Sequence, residues 1–175
     1  MRAFLITTAL ASLLAACTPP AQQTERPNTP PGPTTIACND VAPDTARQIT
    51  VTDEIVTAAA ASDLRGGSIT PGTYDLVSAM RVGSATGWSG TRAVALAVSE
   101  DQAGAVTFNV ASAAPGGETD RWTATFTETP QPRVAYTCGR IGEVPADFAT
   151  QNNVLQLRLQ DGAGGQLALE FQRRR

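Results

Sequence analysis

The chain has 175 residues, enough for one domain, with no His, no Lys and a net charge of −3. The missing His removes the commonest general base and metal ligand, and the missing Lys removes Schiff-base chemistry and Lys-ended phosphate loops. The negative charge argues against nucleic acid as a partner, because neutralising phosphates needs a basic face.

The first element is an export segment. Met1 and Arg2 give a basic start, and residues 3–16 form an apolar run that is shorter than the about 20 residues of a membrane span. The run ends in Leu14-Ala15-Ala16-Cys17, which resembles the lipobox of bacterial lipoproteins. The resemblance implies cleavage of a signal peptide, residues 1–16, and attachment of a lipid at Cys17, with palmitate among its acyl chains. Because Thr18 rather than Asp follows, it also implies sorting to the outer membrane.

The second element, residues 17–37, is the lipidated Cys followed by a tether. Six of the twelve prolines lie between Pro19 and Pro33, and Ile36 is the one bulky aliphatic residue after Cys17. Such a segment buries too little apolar area to offset chain entropy, so we expect disorder with polyproline II character. Extended, it would hold a domain up to about 60 Å from the lipid.

The third element is a domain over residues 38–175, with two further cysteines. An exported protein with an even number of thiols normally pairs them, so we predict a Cys38–Cys138 disulfide. The alternative is two free thiols, with Cys138 as a redox or catalytic group. The sequence offers only Arg140 as a nearby basic partner for that thiol, which favours the structural disulfide.

The start of this domain has two possible conformations. Residues 48–52 fit a strand, and a helix fits the residues that follow, with Thr52 as N-cap and Ile55 to Leu64 as its body. Gly66 and Gly67 would end it.

From residue 72 onward the apolar period is two. Seven segments alternate in this way, which predicts strands at 74–82, 94–98, 106–110, 122–127, 134–138, 155–160 and 167–172. Within them Met80 and Val82 share the parity of Tyr74, Cys138 shares that of Tyr136, and Asp75 takes the solvent face. In the long gap 139–153 we expect a short turn of helix near Pro145 to Phe148. The bulky positions expected to face inward are Tyr74, Leu76, Leu96, Phe108, Trp122, Phe126, Tyr136, Leu157, Leu169 and Phe171.

These patterns predict an all-β fold. It is an antiparallel up-and-down meander of seven to eight strands that closes into a small barrel, with one short helix before it. Over residues 72–172 this architecture, together with the export signal and Gly72-Thr73-Tyr74, resembles lipocalin-like bacterial lipoproteins. The likeness is one of architecture and carries no ligand with it.

The sequence contains few candidates for a catalytic or binding residue. The acidic residues fall mostly in turns, so we predict no catalytic residue, no metal site and no cofactor. Trp88 lies in a Gly- and Ser-rich loop, where it is either a contact for a ligand or partner or a plug of the barrel end. Tyr74, Trp122 and Tyr136 are further possible contacts, with packing as the alternative for Trp122. We expect Arg173–Arg175 to fray in solvent rather than touch anionic lipid.

Together these features predict a non-enzymatic outer-membrane lipoprotein, facing the periplasm or the cell surface, that presents a small barrel as a binding module. Two versions remain open. Either the interior holds a small apolar ligand, or the interior is filled and the loops bind a protein, as a protease inhibitor does. The bulky inward positions favour a filled barrel.

Overall fold

Ten strands and no helix make up the described part of the chain. The structure is a computed structural model that describes residues 37–54 and 64–175, within the unit Ile36–Arg175. The signal peptide, Cys17 and the tether up to residue 36 lie outside the described residues, as do residues 55–63 of the expected helix. The strands, in chain order, are β1 (Ile49–Thr50), β2 (Thr52–Glu54), β3 (Gly72–Gly83), β4 (Thr91–Glu100), β5 (Val106–Ala113), β6 (Thr119–Thr127), β7 (Arg133–Cys138), β8 (Glu143–Gln151), β9 (Val154–Gln160) and β10 (Gly165–Arg173).

Strands β3 to β10 form a closed antiparallel barrel. Each pairs with the next along the chain, and β10 pairs with β3. The predicted all-β barrel is therefore confirmed, with eight strands. The helical turn expected near Pro145 to Phe148 is wrong, because these residues belong to β8. The proline is tolerated there because the β7–β8 ladder ends at it, opposite Arg133.

Residues 49–54 occupy a gap in the barrel wall between β3 and β4. Those two strands pair directly only over Gly72–Asp75, so their remaining edges are open. There β1 pairs antiparallel with β4 and β2 pairs parallel with β3. The expected strand at 48–52 is confirmed in part. The helix start at Thr52 is wrong, since the open edge of β3 recruits this backbone as a strand.

Two register shifts reverse the alternation that the sequence suggested. On β3, Val77 is an extra residue between the pairs Leu76–Phe171 and Ser78–Glu170, so Ala79 turns inward and the predicted inward positions Met80 and Val82 are wrong. On β7 a similar shift sets Cys138 opposite Thr123, on the outer face and away from that of Tyr136. A β-bulge leaves no clear mark in an apolar pattern.

The barrel interior is filled with side chains. Each of the ten bulky residues expected to face inward is buried except Tyr136, which is half-buried and packs against the core. Phe126 lies at the centre of an aromatic cluster, stacked on Phe108 at 5.2 Å and edge-on to Phe148 at 5.0 Å between ring centres. Protein side chains, rather than space for a ligand, therefore occupy the apolar interior of the barrel.

A strap of residues 38–47 crosses the outside of the barrel. It begins at the Cys38–Cys138 disulfide, which the structure contains as expected and which spans 100 residues. Beneath it, Asp75, Ala95, Ala111 and Arg121 form one cross-strand row on β3 to β6, with the charged residues at the two ends. The alanines face outward yet are fully buried, because only small side chains leave room for a chain segment above them.

Candidate binding site at the upper end of the barrel

We call the end where β3–β4, β5–β6, β7–β8 and β9–β10 connect the upper end. Its four connections are residues 84–90, 114–118, 139–142 and 161–164. The alternation that fills the middle of the barrel with apolar side chains continues into this end. There the same inward positions carry polar and aromatic groups instead.

Trp88 covers one side of this end. Its loop is docked on the neighbouring β9–β10 connection, because the Thr86 and Gly87 amides donate to Asp161 Oδ2 at 2.7 and 2.5 Å. The Trp88 side chain is buried, while its backbone has a φ of 37°, in the left-handed region that non-glycine residues avoid. Surrounding contacts therefore hold this residue in a strained conformation.

Arg92 lies directly beneath that indole. Its guanidinium carbon is 5.2 Å from the Trp88 ring centre, and its Nη1 donates to Ser112 Oγ at 2.9 Å. Burial lowers the pKa of Arg92, and nearby Arg140 lowers it further, while Asp120 raises it. In the described residues Arg92 forms no ion pair.

A second group completes the cluster on the far side. Ser112 faces Asp120 across the β5–β6 ladder, and Asp120 accepts a hydrogen bond from Arg140 Nη2 at 2.9 Å. The Arg140 guanidinium carbon lies 5.5 Å from the Trp122 ring centre and 5.8 Å from that of Tyr136. One arginine of the cluster is thus paired with a carboxylate, and the other is not.

Three hydrogen-bond donors in this cluster are buried without a partner among the described residues: Trp88 Nε1, Arg92 Nε and Trp122 Nε1. A buried donor left unsatisfied costs about 1–3 kcal/mol, so native proteins contain few of them. These three are all the unpartnered buried side-chain polar atoms found in residues 37–54 and 64–175. The arrangement offers donors and one uncompensated positive charge.

The structure brings together three of the four aromatic residues singled out from the sequence: Trp88, Trp122 and Tyr136. Tyr74 lies apart, three strands from Trp122, which is roughly 14 Å along the sheet. Its hydroxyl donates to the carbonyl of Thr70 at 2.6 Å.

Sequence reasoning missed the polar members of this cluster. Arg92 has the parity of Val94 and Leu96, and Asp120 has that of Trp122. A charged residue on the apolar parity at a strand end was the available signal.

The lower end, where β3 begins and β10 ends, holds its charges differently. The expectation that Arg173–Arg175 fray is wrong for two of the three, because Arg173 closes β10 and Arg174 pairs with the buried Asp75. Asp75 was expected in solvent, but the strap covers it. An open groove of about 1030 Å³ adjoins these residues, and most of its charges already have partners within the chain.

Three further observations bear on function. Residues 37–54 and 64–175 hold no group of three or more Cys, Asp or Glu side chains that could bind a metal ion. Within the same ranges there is no helix of the length and apolar character needed to cross a membrane. No protein-family model, curated protein or solved structure matches the chain.

Proposed function

We propose that the chain is a non-enzymatic lipoprotein of the bacterial outer membrane whose barrel binds another protein through its upper end. Cys17 would carry the lipid, and residues 18–37 would hold the barrel away from the membrane. The carrier alternative, with a small apolar ligand inside the barrel, is less well supported.

The observation that carries this proposal is the filled interior. Phe108, Phe171, Leu76, Leu96 and Leu155 are among the side chains that are less than 2 % exposed along the barrel. A carrier of apolar ligands needs an interior space lined by such groups, and here the groups occupy it themselves. Recognition therefore falls to the surface, where loops held on a rigid barrel are suited to bind a partner.

Exposed apolar surface indicates which end makes the contact. Two large hydrophobic residues of the described chain are exposed, Val77 on the barrel wall and Ile141 at the upper end. Ile141 is fully exposed at the tip of the connection 139–142, next to Arg140. An exposed aliphatic side chain beside an arginine, a residue enriched in protein interfaces, is a surface that a partner could cover.

The anchor is tested by palmitate labelling in a bacterial host that processes lipoproteins. We expect label in the wild-type chain and none in Cys17→Ser. The matched control replaces both Cys38 and Cys138 by serine and keeps Cys17, so it should be labelled. Label that persists in Cys17→Ser would overturn the anchor.

The binding mode is tested by placing a photo-crosslinking residue at position 141 or, as the control, at position 77. We expect a discrete protein adduct in host cells from position 141 and none from position 77. A panel of serine and metalloproteases then tests whether the partner is an inhibited enzyme. Equal adducts from both positions, or saturable uptake of the neutral apolar probe N-phenylnaphthylamine, would contradict the proposal.

A further inference from the structure

We propose that the upper-end cluster of Trp88, Arg92, Ser112, Trp122 and Arg140 is a binding site for a small organic carboxylate. Arg92 would be its counter-ion, and the two indole N–H groups would be hydrogen-bond donors to it. This goes beyond the proposed function, since binding of a protein by the loops neither requires such a ligand nor excludes it.

The unpartnered donors belong to one end of the barrel. Trp122 is 2 % exposed and Trp88 is 9 % exposed, and the N–H of each indole is inaccessible to solvent. Together with Arg92 Nε they lie in one chain of contacts that runs through Ser112, Asp120 and Arg140. Scattered packing defects would not gather at one end of the barrel, whereas a ligand site accounts for their grouping.

The unpartnered groups require an acceptor with a negative charge. All three unpartnered atoms are donors, so the missing group is an acceptor. With Asp120 beside it, the cluster has two guanidinium groups and one carboxylate, and Arg140 takes that carboxylate, so the charge of Arg92 is uncompensated. A ligand with a single negative charge balances it, and a carboxylate offers two coplanar oxygens that match the fork of a guanidinium.

The aromatic residues at this end indicate what the rest of the ligand is like. Three aromatic rings lie beside the two arginines: Trp88 at Arg92, and Trp122 and Tyr136 at Arg140, where the last two meet edge-on at 5.3 Å between ring centres. Rings of this kind favour a flat apolar body next to the carboxylate. An aromatic or short branched organic acid fits this description better than a highly hydrated inorganic anion.

The ligand would reach Arg92 by displacing the loop that carries Trp88. Trp88 covers Arg92, and Gly83 and Gly90 flank its loop with φ values of 64° and 68°. Glycines at both ends can take up the rotation of a loop, and release of the strained Trp88 backbone offsets part of the cost of opening. The loop 84–90 thus acts as a lid that opens for the ligand and is fastened again by Asp161.

The test uses the two tryptophans of the chain as reporters. A heteronuclear NMR spectrum of the isotope-labelled full chain shows one indole N–H signal for each. Benzoate is the probe, and benzamide, which has the same shape and no charge, is the matched control. We expect benzoate to move both indole signals downfield in a saturable way and benzamide to leave them nearly in place. Signals that ignore benzoate, or that move equally with benzamide, would overturn the proposal.

A variant locates the charge. Arg92→Gln should bind benzoate at least about tenfold more weakly, because a charge-assisted hydrogen bond is lost. Arg133→Gln makes the same change of charge at an exposed residue at the start of β7 and should bind like the wild type. Wild-type affinity in folded Arg92→Gln would refute the site. If that variant does not fold, the comparison of benzoate with benzamide decides on its own.

Discussion

Replacing Arg174 with alanine removes the main partner of a buried carboxylate. Arg174 donates to both oxygens of Asp75, at 2.6 and 3.0 Å, and its Nη2 also donates to the carbonyl of Ala42 in the strap. The Asp75 hydrogen bonds raise the pKa of Arg174. One arginine therefore joins the last residues of the chain, strand β3 and the strap.

The expected cost follows from burial. The side chain of Asp75 is 7 % exposed, and breaking a buried pair by removal of one partner costs about 3–5 kcal/mol. Two features reduce this figure: the Arg174 side chain is 37 % exposed, and Arg47 approaches the same carboxylate at 3.6 Å. We therefore expect a loss of about 2 kcal/mol, which lowers the Tm of a domain of this size by about 6 °C.

Calorimetry and urea unfolding measure the effect, with Arg175→Ala as the matched control. Arg175 carries the same charge and is exposed, so its removal should change the free energy of unfolding by less than about 0.5 kcal/mol. A double-mutant cycle with Asp75→Asn should show that the two changes are not additive. If Arg174→Ala proves as neutral as Arg175→Ala, the tail frays after all and the reasoning is refuted.

Three further predictions concern the rest of the fold. Serine at both Cys38 and Cys138 should lower the free energy of unfolding in urea by about 4 kcal/mol, since the bond closes a long loop, and an unchanged midpoint would contradict the role of the disulfide. Gly139→Ala should lower the free energy of unfolding by about 2–3 kcal/mol, because its new Cβ would clash with the backbone of β6. Gly142 also has a positive φ but has open space around it, so Gly142→Ala should lower that free energy by about 1 kcal/mol. Equal losses in the two variants would argue against the close approach of Gly139 to β6. Burial raises the pKa of Tyr74, so the folded state holds the phenol proton more tightly than the unfolded state does, and the free energy of unfolding should fall as pH rises above about 10. Tyr74→Phe should make that decline less steep, and an identical decline in the variant would disprove the prediction.

Strand existence could be predicted from the sequence because a half-buried strand imposes a period of two. Segments such as 106–110 and 167–172 show it over their whole length, and both are strands of the barrel. Strand β8 could not be found in this way. It includes Pro145, and its polar Thr150 lies where the pattern calls for an apolar residue, so no alternation stands out.

The face of the sheet on which each side chain lies was less predictable than the presence of the strands. A bulge adds one residue and exchanges the two faces beyond it, which is why Met80 and Cys138 were placed wrongly. The burial of part of the outer face could not be predicted either. Ala95 and Ala111 are covered by the strap, which is distant from them in sequence. The sequence shows small residues without showing what covers them.

The arginines at the two ends of the barrel differ in whether they are paired with a carboxylate, and this difference points to a functional role for the upper end. At the lower end Asp75 and Arg174 satisfy each other, with Arg47 close by, so the charges there stabilise the fold. At the upper end Arg92 is half-buried against Trp88 and forms no ion pair within the described residues, and the nearby carboxylate of Asp120 pairs with Arg140. Arg92 is unfavourable for stability here, because its guanidinium is partly withdrawn from water and its Nε is buried without a hydrogen-bond partner. Its presence, under a strained tryptophan in a loop flanked by glycines, is best explained by an anionic group that arrives from outside the chain.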